Sequence, residues 1–63
     1  MDEEKLNLSM RRFLKRVGIT SQREIERIVR DQPLERGKLK VRMVLTAEGT
    51  DLEHVIEDEI DLG

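Results

Sequence analysis

A chain of 63 residues holds one domain at most and buries only about 60% of its unfolded surface on folding. With no cysteine, neither a disulfide nor thiolate-ligated zinc can staple it, and Phe13 as sole aromatic argues against base stacking or an aromatic cage. The net charge of −2 conceals a segregation: all 12 Lys and Arg lie between Lys5 and Arg42 among four acids, whereas Met43–Gly63 carries seven acids and no Lys or Arg. The two halves either neutralise each other in the fold or face an outside partner.

The acidic start, Asp2-Glu3-Glu4, suits the positive end of a helix dipole, with Asn7 as a competing cap if the first turn frays. Leu6, Met10, Phe13, Leu14 and Val17 recur at helical spacing, with Arg11, Arg12, Lys15 and Arg16 mostly on the other side. Gly18 follows the last periodic residue, as a left-handed C′ cap would, and predicts the end of a first helix.

Ser21-Gln22-Arg23-Glu24 fits a capping box and predicts a second helix with Ile25, Ile28 and Val29 inward. Pro33 should stop it near Asp31, because proline disfavours helical geometry before it and lacks an N–H. A further turn over Leu34–Arg36 is the variant with Pro33 at its first position, and Gly37 ends the helical part in both cases.

From Leu39 the apolar period becomes two. Leu39, Val41, Met43, Leu45 and Ala47 share one face, and Gly49-Thr50 predicts a type II′ turn leading to a second strand. That turn fixes a register, with Leu39 opposite Ile60, Met43 opposite Ile56 and Ala47 opposite Leu52 inside. Outside, Lys38 meets Asp61, Lys40 meets Glu59 and Arg42 meets Glu57, and a one-residue slip would turn the apolar set outward. Asp58 falls on the inner face opposite Val41, the place for a bulge or second turn, while Val44 and Val55 fall outside as a candidate oligomer contact.

The expected fold is therefore one α+β domain over residues 1–63, an N-terminal helical hairpin packed on a C-terminal antiparallel β-hairpin. Two β-hairpins joined edge to edge into a four-stranded sheet would make a dimer.

Motifs that carry chemistry are absent. His54 is the only histidine, and on a strand it lies about 13 Å from Asp58, so the two make no site between them. The acids Glu57, Asp58, Glu59 and Asp61 lack the glycine and spacing of a calcium loop and read as a solvated face paired with Lys and Arg. No hydroxyl sits in a nucleophile elbow, and no glycine loop would hold phosphate. No cofactor and no enzyme activity is expected. There is no apolar run of membrane-spanning length and no secretory start, so a cytoplasmic protein without membrane contact is expected.

The basic half resembles a helix-turn-helix over residues 11–30, with Arg12, Lys15, Arg23, Arg27 and Arg30 placed for phosphates. The acidic pI of about 5.4 and the pairing of Glu26 with Arg30 oppose that reading.

Asp2-Glu3-Glu4-Lys5, Arg12-Phe13-Leu14-Lys15, Val17-Gly18, Thr20 to Glu26 and Asp51-Leu52-Glu53-His54-Val55 together resemble a family of short proteobacterial proteins of unknown function. The resemblance implies two helices followed by a β-hairpin, and a turn at Asp58, where such relatives usually have glycine. It transfers no functional residue. The expected function is thus a non-enzymatic interaction or structural module, acting on a protein partner or on itself as a homodimer. Nucleic-acid association through residues 11–30 is the alternative.

Overall fold

Asp2 starts the chain's one long helix in the computed structural model, which describes residues 1–32, 34 and 37–63. The Glu4 and Lys5 N–H groups donate to Asp2 Oδ1 at 3.0 and 3.2 Å, satisfying two donors that a helix start leaves free. Glu3 and Glu4 then sit in the first turn, at the positive end of the dipole. Helix α1 runs without interruption over Glu3–Asp31. It ends where Gln32 N–H donates to the Ile28 carbonyl at 3.1 Å. The expected stop at Pro33 and the further turn over 34–36 fall largely outside the described residues.

The expected break at Gly18 does not occur, so one helix stands where two were expected. Gly18 is helical, without the positive φ of a C′ cap, and Ser21 lies mid-helix rather than at a cap. The reason is phase. Leu6, Met10, Phe13, Val17, Ser21, Ile25 and Ile28 advance in steps of three and four without slipping, so one stripe spans the whole helix. A glycine inside a helix costs about 1 kcal/mol, whereas a break would create two new ends with four orphaned backbone groups each. The hydroxyls of Ser9 and Thr20 donate to the carbonyls of Lys5 and Arg16, at 2.6 and 2.7 Å, so neither competes with the helix.

Strands β1 (Lys38–Thr46) and β2 (Glu53–Asp61) form an antiparallel pair in the expected register. Lys38 opposes Asp61, Lys40 opposes Glu59 and Arg42 opposes Glu57 on one face, while Leu39 opposes Ile60 and Met43 opposes Ile56 on the other. The Leu62 N–H donates to the Gly37 carbonyl at 2.7 Å and extends the pairing by one step. Asp58 pairs with Val41 inside a continuous strand, so the expected bulge or turn is not there. Its carboxylate accepts from the Glu59 N–H at 2.7 Å.

The connecting turn is centred one residue earlier than expected. The Thr50 N–H donates to the Ala47 carbonyl at 3.3 Å, placing Glu48 and Gly49 at the centre. Gly49 takes φ of 75°, the left-handed value that favours glycine at the third position of a turn. The Thr50 hydroxyl donates to the Ala47 carbonyl at 2.8 Å and accepts from Leu52 N–H at 3.2 Å, closing the loop that a type II′ turn would have closed with backbone alone.

The hairpin lies along the C-terminal half of α1. The half-buried positions are Val17, Ser21, Ile25 and Ile28 on the helix and Leu39, Val41, Leu45, Ile60 and Leu62 on and beside the strands. Among the described residues the sheet has two strands, and the expected four-stranded dimer sheet has no support in it. Among the described residues none is fully buried. A helix of 29 residues is about 43 Å long, against about 30 Å for a nine-residue strand, so α1 outruns the sheet. The molecule measures 48 × 22 × 16 Å, and its radius of gyration of 15.4 Å well exceeds the ~11 Å of a compact chain this size.

Candidate functional site

The unbroken helix removes the helix-turn-helix reading of residues 11–30. That motif needs two helices at a steep angle, and here Arg12, Lys15, Arg23, Arg27 and Arg30 stand on one straight cylinder. At 3.6 residues per turn, Arg12, Lys15, Arg23, Arg27 and Arg30 all lie on the side away from the apolar stripe, spread over about a third of the helix's circumference. Arg27 Nε pairs with Glu24 Oε2 and Arg30 Nε with Asp31 Oδ1, each at 3.2 Å and well exposed. These pairs orient side chains and stabilise little.

Val44 and Val55 are direct partners across the hairpin on its outer face, both exposed. Thr46–Glu53 and Arg42–Glu57 flank them, so the apolar area there is one residue pair wide. Arg42 Nε reaches Glu57 Oε1 at 3.4 Å. Along this charged side runs a hollow of about 710 Å³ between Lys38, Lys40 and Arg42 and the acids Glu57, Asp58 and Glu59. Cations and acids are equal in number along it, so no ligand of either sign is favoured.

The continuous apolar surface lies elsewhere, and sequence reading missed it as a site because it looked like core. Between α1 and the inner face of the hairpin opens a groove of about 510 Å³, lined by Thr20, Ser21, Glu24, Ile25, Val41, Arg42, Met43, Ile56 and Asp58. A shallower one of about 240 Å³ continues along Ile25, Ile28, Leu39 and Val41. The helix half-covers β1, whereas Ile56 on β2 stays 52% exposed. Towards its N-terminus the stripe passes to Phe13, Met10 and Leu6, also about half exposed, with Leu14 beside them. Monomeric soluble proteins seldom leave an apolar face this long open, and such faces mark contacts.

Among the described residues no three His, Asp or Glu converge to hold a metal ion. Nor is any helix long and apolar enough among them to cross a membrane. A protein-family model matches residues 1–63, the whole length of the chain. The chain belongs to DUF6494, a family of unknown function. In this chain one helix among the described residues replaces the two that the resemblance implied, while the β-hairpin stands as expected. No curated protein and no solved structure matches this DUF6494 chain at a significant level.

Proposed function

We propose that this chain is a small non-enzymatic module that works by associating with a second copy of itself. The observation that carries the reading is the one apolar face of α1 and the hairpin, with no fully buried residue among those described. The chain exposes 6257 Å², against about 4,200 Å² for a compact monomer of its mass. The excess of about 2,000 Å² exceeds the ~800 Å² per partner of a standard interface. Neither a lone two-stranded sheet nor a long helix without tertiary packing is stable in water, so burial between copies supplies what one copy lacks.

The non-enzymatic part rests on how the polar groups are occupied. The Ser9 and Thr20 hydroxyls bond helix carbonyls, Thr50 closes the turn, and Asp58 accepts from the adjacent backbone. An edge-to-edge sheet dimer is the weaker form of self-association. Joining β2 to β2 antiparallel about Glu57 would set Glu57 against its own copy and Glu53 against Asp61, and like charges directly opposed destabilise a sheet.

Sedimentation velocity over a roughly hundredfold dilution, with thermal melting at each concentration, tests the reading. A mass above the monomer and a melting point that rises with concentration are expected. A monomer mass throughout, with a cooperative melt independent of concentration, would refute it.

A further inference from the structure

We propose that the groove between α1 and β2 receives the basic N-terminal half of α1 from a second copy, each copy giving and receiving one helix end. The proposal rests on the self-association reading and adds which surfaces meet.

The groove has an apolar floor of Ile25, Val41, Met43 and Ile56, and its wall carries two carboxylates, Glu24 and Asp58, and one cation, Arg42, which pairs with Glu57. Glu24 pairs with Arg27 along the helix. Asp58 stands on the apolar face of the hairpin, and among the described residues no cation lies within ion-pair distance of it. A carboxylate at the edge of an apolar groove selects a ligand that is apolar and basic together.

This chain contains such a segment. From Lys5 to Gln22 there are five cations and no acid. Its apolar side chains Leu6, Met10, Phe13 and Leu14 remain about half exposed beyond the part of the helix that the hairpin covers. Arg11 follows Leu14 on one flank of that stripe and Arg16 lies past Phe13 on the other, while Lys15 faces away from it. Among the described residues no ion pair joins these cations to the acids of β2, so the two charge sets of one copy do not neutralise each other by contact.

Continuity of the helix decides between an internal and an external occupant. Residues 5–16 and residues 20–25 belong to one continuous helix, so the basic half cannot turn back into the groove beside it. A second copy laid antiparallel can place its residues 5–16 there, and by two-fold symmetry it receives the same from the first copy. Phe13 supplies the aromatic anchor for the floor, while Arg11 and Arg16 on the two flanks reach the acids at the rim.

Two charge-reversed chains test this, Arg11→Glu with Arg16→Glu and Glu24→Lys with Asp58→Lys. Circular dichroism checks the helix in both, and sedimentation equilibrium measures association. Each reversed chain alone is expected to associate at least tenfold more weakly than the unaltered chain. Mixed in equal amounts they should form a heterodimer at near-normal affinity, because both contacts then pair opposite charges. If each reversed chain, still helical, dimerises as tightly as the unaltered protein, this geometry is overturned while self-association stands. An unaltered chain that is monomeric at every concentration overturns both. So does a monomer that binds vesicles of anionic lipid and loses that binding on Arg11→Glu with Arg16→Glu.

Discussion

Replacing Phe13 with alanine separates an interface from a solvent-facing stripe. Phe13 is 49% exposed in the single chain. A phenylalanine offers on the order of 200 Å² in all, so about 100 Å² is left for a partner to cover. Alanine would retain part of that contact, leaving a loss of about 70 Å² in each copy. At about 25 cal/mol per Å² the loss is about 1.7 kcal/mol per copy, or about 3.5 kcal/mol for a symmetric dimer that uses the site twice. That corresponds to a weakening of about 300-fold in the dimer dissociation constant. Within one chain the same substitution removes only half-exposed contacts, so helix content should persist. Sedimentation equilibrium beside far-ultraviolet circular dichroism reads both quantities. A helical Phe13→Ala chain whose dimer constant moves less than about tenfold would refute burial of this residue between copies.

Two further outcomes follow from the helix itself. Gly18→Ala should raise stability by roughly 0.5–1 kcal/mol, since the helical backbone accepts alanine and an added Cβ meets nothing within 4 Å; a loss in urea unfolding would show that something packs there. Asp2→Ala removes the acceptor for two N–H groups and should cost about 1 kcal/mol and fray the first turn, seen as faster amide exchange at Glu4 and Lys5; unchanged exchange would mean the cap contributes nothing.

The hairpin was legible because two independent patterns agreed on it. Alternation set the inner face, and the pairing of Lys38, Lys40 and Arg42 with Asp61, Glu59 and Glu57 fixed the register. The turn lay one residue off because the Thr50 hydroxyl stands in for a backbone bond, and side-chain closure leaves little trace in sequence. The helix was misread for a different reason. Gly18, Thr20 and Ser21 each carry a local stop or start signal, and Ser21 hides the stripe by putting a hydroxyl where Val17 and Ile25 predict an apolar residue. Phase along the whole helix outweighed those local preferences. The groove was not legible at all, since pattern shows which side chains share a face but not that the helix would leave Ile56 of β2 half exposed.

The local character of every backbone pairing has a kinetic consequence. The most distant partners in the ladder, Lys38 and Asp61, are joined by one tight turn, and α1 needs contacts only within itself. Helices of this kind relax in about 0.1–1 μs and hairpins in about 1–10 μs, so topology imposes no slow step on one copy. The slow event in forming a pair of copies is then their meeting, whose rate is set by how many chains share the solution and by how their opposite charges draw them together.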